Sequence, residues 1–425
     1  MLPPLGLLAV IYRYGVNVPN TDDWSIVALL QRLDTGHLTL SALWAQHFES
    51  RVLFSNLLYL GLASASRADL KIDMYVSWLL LAGSCLGVVW LIRRQTGLGW
   101  WWFLPAFLVL FSLDQYAPVL SAFQLCLYLA LPCLVVMVGA LLAANRRPGL
   151  LVLAVLAAVV GSYSTSQGLA LWPVGLLLLV CTGQPVRRAV VWVVATALTV
   201  AVYLEGYSAA ATGGSAGWIA AHPGAAGGFY LELMGGIVPR SGHVGVSGAE
   251  QAALGFALSV ASLILIGLAV RRRGRAPWLL VPTSLVAFSV AVGLLTTSGR
   301  AQFGVGYALT PRYGLFSLWD LVGVWLGLAL LWRALGPRWV KAGLTLVALV
   351  VALQVALSLH EGVVGARHLH ATRETAASVV RDYGTASSAE VTHYVFGQVH
   401  EFRQLAAFLQ RRRLSVFAPG PAPSA

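Results

Sequence analysis

Apolar runs of helical length alternate with short polar joints along almost the whole chain. They fall at 2–14, 70–92, 98–113, 119–144, 149–163, 167–182, 186–205, 251–270, 277–298, 313–332 and 339–359, with a shorter run at 52–66. Continuous runs of this kind predict membrane-crossing helices, not the alternating ~10-residue strands of an outer-membrane barrel. Basic clusters recur at alternate joints: Arg93-Arg94, Arg146-Arg147, Arg187-Arg188, Arg271 to Arg275, and Arg333 with Arg338 and Lys341. The positive-inside rule puts each in the cytoplasm and runs 70–92 from outside to inside. Residues 52–66 would make ~22 Å of helix against a ~30 Å hydrocarbon core, so they are expected to lie along the outer interface. The expected fold is all-α: a polytopic bundle of about eleven transmembrane helices, N-terminus cytoplasmic and C-terminus extracytoplasmic. Residues 1–360 form the bundle. Its first extracytoplasmic loop, 15–69, carries juxtamembrane helices near 23–34 and 39–48. Residues 361–425 form a small extracytoplasmic tail, helical near 362–382 and 396–413, with a disordered Pro/Ala end. Met1 to Tyr12 lacks a basic n-region and a small-residue cleavage site and reads as the outer part of the first helix.

Composition agrees with the pattern. Apolar residues make up 58% of the chain and charged residues 10%, where a soluble fold carries roughly a quarter charged. The net charge of +12, from 28 basic and 16 acidic residues, sets topology here and argues for no nucleic-acid partner. Cys85, Cys126, Cys133 and Cys181 all fall inside apolar runs without ligand spacing and read as packing thiols.

The polar stretch Val18 to Arg51 then stands out. Asp22 and Asp23 adjoin Trp24; either carboxylate can take a proton from an acceptor hydroxyl or hold a divalent cation bound to a phosphate. The structural alternative, compatible with the first, is that one of them caps the helix beginning near Trp24. His47, Glu49 and Arg51 are spaced by two, so they share no helical face and sit at a break before 52–66. Arg51 is a candidate phosphate ligand with Glu49 orienting it; a solvated interface turn is the alternative. In SGRAQFGVGYALTPRYG, Arg300 and Arg312, beside Tyr313, have no acid in their loop and suit a lipid phosphate, or else anchor at headgroups. Asp320, about two turns into the next run, is functional or paired with an arginine. Gln167 in YSTSQGLALWP and Asp114 in a short outer turn are further polar candidates, with simple helix capping as the alternative for the first. The Gly/Ala-rich loop 206–250, with His222, Arg240 and His243, reads as mobile. The tail histidines show no zinc pattern.

With TDDW at 21–24, HFESR at 47–51, SQGLALWP at 166–173 and GR…PRYG at 299–314, the chain resembles the integral-membrane GT-C glycosyltransferases that use polyprenyl-phosphate sugars, in a bacterial multi-pass branch. The resemblance implies a plasma-membrane enzyme with Asp22 or Asp23 as the catalytic carboxylate and Arg300 and Arg312 on the lipid phosphate. Asp114 would stand for a second acidic motif. The partners implied are a polyprenyl-phosphate-linked sugar, a glycan, lipid or protein acceptor, and membrane lipid. No D-x-D spacing is present, so metal dependence is not implied and a divalent cation stays an open alternative. The rival readings are a lipid-linked-sugar flippase, a surface-polysaccharide ligase or polymerase working through 206–250 with His222 or His243, and a non-catalytic scaffold.

Overall fold

The computed structural model describes residues 2–208, 216–238, 247–395 and 398–419. It is about 81% helical. The helices are α1 (Leu2–Tyr14), α2 (Asp23–Asp34), α3 (Leu40–Trp44), α4 (Leu53–Ser66), α5 (Leu70–Thr96), a broken α6 (Trp100–Val119), α7 (Leu125–Ala143), α8 (Leu150–Ser162), α9 (Leu171–Cys181), α10 (Val186–Leu204), α11 (Ala216–Ala221), α12 (Pro223–Gly235), α13 (Gly248–Arg271), α14 (Leu280–Arg300), α15 (Pro311–Leu335), α16 (Arg338–Arg381), α17 (Ser388–Tyr394) and α18 (Val399–Arg412). Every apolar run is helical, but among the described residues eight helices are long and apolar enough to cross a membrane: α5, α6, α7, α10 and α13 to α16. Helices α1, α8 and α9 fall short of the eleven-span reading. At 13 residues, α8 rises only ~20 Å. It stops because the chain doubles back at Gly168, where a Cβ would stand 1.9 Å from the Gly161 carbonyl oxygen.

The most hydrophobic stretches of α14 and α15 are 78% and 83% buried, whereas that of α10 is 22% buried; the first two are therefore the centre of the bundle and α10 its rim. The joints sort to two ends. At one end lie the basic clusters, tied together by the Gly274 N–H donating to the Cys181 carbonyl (2.8 Å), Gln184 to the Leu141 carbonyl (2.8 Å) and Arg188 to Asn145 (3.0 Å). At the other lie residues 15–69, 122–124, 163–167 and 300–313.

Over that second end the first loop and the tail pack as one cap. Val18, Trp24, Val27 and Leu30 share a core with Ala377, Val380, Phe402, Leu405 and Leu409, and the Trp24 and Phe402 rings meet edge-to-face at 5.2 Å. Helix α18 supplies the apolar stripe; its outer side carries Arg412, which pairs with Asp34 at 2.7 Å. The expected tail helix near 362–382 is not separate. Helix α16 runs unbroken through His360 for 44 residues, because no proline stops it and its glycines serve close contact: a Cβ at Gly365 would lie 2.3 Å from the Tyr116 ring.

The same logic corrects the reading of 206–250 as a mobile loop. Its described part contains α11 and α12, and α12 buries Phe229, Leu233 and Met234. Here glycine permits approach: a Cβ at Gly235 would sit 1.8 Å from the Gln251 carbonyl oxygen, and one at Gly255 1.9 Å from that of Leu231. Arg240, His243 and the Pro/Ala end lie outside the described residues.

Candidate active site

The acid-bearing turn is held from the tail. Thr21, at φ 47°, donates its N–H to the Val395 carbonyl (2.8 Å), and the Asn20 amide donates to the Tyr394 carbonyl (2.7 Å). The two adjacent acids then part company. Asp23 is 1% exposed and accepts from the N–H groups of Asn20 (3.0 Å) and Phe123 (2.9 Å), with Arg373 of α16 at 3.6 Å. It fastens three segments together; burial pushes its carboxyl upward, against Arg373 and the two N–H groups. Asp22 occupies the N-cap position of α2, yet its side chain makes no capping bond. It is 27% exposed and faces the His47 imidazole at 3.7 Å.

His47 and its neighbours sit on the two-stranded hairpin Gln46–His47 and Ser50–Arg51, a small β element in the otherwise helical fold. Phe48, at φ 48°, makes the turn, and the His47 ring lies 4.5 Å from that of Phe123 and 4.9 Å from that of Phe48. Glu49 pairs with Arg300, at the end of α14, through both guanidinium Nε and Nη2; it does not orient Arg51. Arg51 is 4% exposed and its guanidinium donates to the carbonyls of Tyr203 (3.1 Å), Trp44 (3.2 Å) and Glu205. It fixes the hairpin to the end of α10, with each of its three guanidinium nitrogens already engaged by a backbone carbonyl.

Asp22, His47, Glu49, Gln167, Arg300, Arg312 and Tyr313 line one cavity of about 60 Å³, together with Phe48, Phe123, Gln124 and Thr165. Arg312, in the first turn of α15, donates to the Tyr307 hydroxyl at 3.0 Å. The Gln167 side-chain Oε1 accepts from the hydroxyls of Thr165 and Ser166. The nearby Ser162 and Ser164 hydroxyls return to backbone carbonyls of α8 and are not offered to a ligand. Asp114 lines a different cavity. Asp320 is fully buried, but its partner is the Ser262 hydroxyl at 2.8 Å and not an arginine, since the arginines of α13 and α15 lie at the helix ends. His222 is exposed and stacks on Trp218 (4.7 Å) away from the Asp22 cavity. Phe48, Phe123, Gln124 and Thr165 carry no signal of a site in the sequence; Arg373 is an ordinary tail arginine until α16 brings it under Asp23.

Burial works to raise the Asp22 carboxyl, but contact with His47, reinforced by Arg312 and Arg300, outweighs it and holds the group below its ordinary 3.8. A carboxylate with a depressed folded-state pKa stabilises the fold fully above the unfolded value, and that contribution is lost as pH falls through the folded one. The stability difference between wild type and Asp22→Asn is therefore expected to shrink as pH falls from about 5 to about 3. Thermal unfolding of both proteins across that range measures it; a constant difference would contradict the assignment.

No protein-family model matches the chain, and neither a curated protein nor a solved structure is similar to it.

Proposed function

We propose that this protein is a membrane glycosyltransferase that moves a sugar from a polyprenyl-phosphate donor to an acceptor hydroxyl. The observation that supports it is a single one: a carboxylate free of capping duty, Asp22, opens on the same cavity as Arg300 and Arg312, at the end of the bundle away from the basic clusters. In this reading those clusters are cytoplasmic, and the cavity opens outside the plasma membrane, with the N-terminus inside and the C-terminus outside. The acceptor oxygen attacks the anomeric carbon and the new C–O bond forms with inversion. The bond from that carbon to the phosphate oxygen breaks, its electron pair leaving on the lipid phosphate. The acceptor proton passes to Asp22. Arg300 and Arg312 neutralise the departing phosphate. Asp22 is ionised at any physiological pH, at the cost of being a weaker proton acceptor.

A space of about 60 Å³ falls well below the ~300–1,000 Å³ of small-molecule sites and does not admit a sugar phosphate. Donor entry therefore requires Arg300 to exchange Glu49 for phosphate and the 46–51 hairpin to move. Relieving that competition raises the binding-competent fraction. Glu49→Gln is accordingly expected to tighten binding of inorganic phosphate roughly fivefold, measured by titration of the purified protein; weaker binding would mean that Glu49 positions Arg300 for the ligand.

The function itself is tested by mass spectrometry of envelope glycans and polyprenyl-phosphate sugars in cells carrying wild type, Asp22→Asn or no protein. The proposal requires the Asp22→Asn cells to match the null, losing a glycan and accumulating its lipid-linked sugar. A flippase or a scaffold would tolerate the substitution. Transfer measured with and without EDTA separates neutralisation by the two arginines from help by a divalent cation.

A further inference from the structure

The first turn of α15 stands between two cavities of opposite character. Arg312 and Tyr313 face the one that holds Asp22. Thr310, Pro311 and Gly314 wall a second, of about 440 Å³, whose other polar residues include Asp114, Gln251, Glu361 and His368. Beside the Tyr116 hydroxyl and the His368 imidazole, which can donate, this second cavity gathers several acceptors that no donor meets. Asp114 makes no ion pair among the described residues. Glu361 has only the surface imidazole of His360, itself 68% exposed, at 3.1 Å. The Thr310 hydroxyl gives its proton to the Tyr307 carbonyl (2.7 Å), so its oxygen is left as an acceptor. The Gln251 side chain is 1% exposed; its amide nitrogen donates to the Val238 carbonyl (3.3 Å), while its Oε1 has no partner among the described residues. Among the described residues no lysine or arginine lines the space.

Two carboxyl groups and an orphaned amide oxygen in a half-enclosed cavity favour a ligand that supplies positive charge and N–H or O–H groups. Among the described residues no three His, Cys, Asp or Glu side chains gather as a metal-ligand group. The volume instead falls in the range of small-molecule sites. We infer that this second cavity binds a hydroxylated organic cation of about monosaccharide size. Its protonated amine lies between Asp114 and Glu361, and one of its N–H or O–H groups meets Gln251 Oε1. Resting on the sugar-transfer reading, this ligand is the acceptor's recognised end: the ammonium is held at the carboxylates, and a hydroxyl, not the ammonium, reacts.

The test is binding to the full chain in phosphatidylglycerol nanodiscs, with glucosamine, N-acetylglucosamine and glucose as probes. Glucosamine is expected to bind at least tenfold tighter than either neutral sugar. Asp114→Asn and Glu361→Gln should each weaken it fivefold or more and leave inorganic phosphate binding unchanged; that phosphate affinity also serves as the check on folding. Should Asp114→Asn fail to fold, Glu361→Gln at the cavity's outer edge decides. Equal affinity for the three sugars, no binding at all, or tight glucosamine binding that survives Glu361→Gln would overturn the inference. The two proposals fail separately. If amine selectivity is absent while Asp22→Asn abolishes transfer, only this inference falls. If amine selectivity is present while Asp22→Asn transfers normally, the sugar-transfer reading falls and the binding site stands.

Discussion

Asp22→Asn is expected to lower the rate of sugar transfer by about a thousandfold, the middle of the range for removing a general base, without unfolding the protein. The two halves of that expectation come from the same geometry. The Asp22 side chain caps nothing and is partly exposed, so an isosteric amide costs the fold little. Yet it is a carboxylate facing His47 on a cavity with two arginines, and an amide there cannot take a proton. Rates at saturating donor, set beside melting curves, would measure both. A loss of less than about threefold would remove Asp22 from the chemistry. Arg300→Ala or Arg312→Ala should each lose about a hundredfold, as expected for one donor to a developing anion.

The neighbouring residue gives the opposite result. Asp23→Ala and Arg373→Ala are each expected to destabilise the protein by about 3–5 kcal/mol, because each leaves a buried charge without its partner. The pair is 1% and 12% exposed at 3.6 Å, and Asp23 also satisfies the N–H groups of Asn20 and Phe123. Removing both charges together should cost less than the sum of the single losses, since neither is then stranded. Thermal unfolding of the two single variants and the double variant tests this. Strict additivity would show that the two side chains do not act as a pair. One position of difference in the sequence thus separates the carboxylate proposed for chemistry from the one that holds the architecture.

The sequence could not make that separation. Two adjacent carboxylates look alike until something packs against them, and what packs against Asp23 comes from residues 122–124 and from α16, far along the chain. Arg51 failed to be recognisable for a similar reason. A guanidinium suited to phosphate is equally suited to three backbone carbonyls, and those of Trp44, Tyr203 and Glu205 leave no mark in the pattern. The helices, by contrast, were legible, because hydropathy is local: every apolar run became a helix. Their lengths were less so. The end of α8 is decided by the Gly161–Gly168 contact, and α6 breaks at Phe111 and Ser112, inside an apolar run. Glycine misled most in 206–250. Composition suggested slack, whereas Gly235 and Gly255 allow two helix backbones to touch.

Helix α16 has a consequence of its own. Its 44 residues rise about 66 Å, roughly twice the hydrocarbon thickness of a bilayer. Along that one stiff rod stand Glu361 and His368, then Arg373 under the acid-bearing turn. Spanning helices answer a change in bilayer thickness by tilting, and a rod cannot tilt at its base and stay still at its top. On the proposed function, acyl-chain length is thereby an input to both chambers at once: the lipid around the protein acts as a mechanical setting on how the proposed donor and the proposed cation are presented to each other.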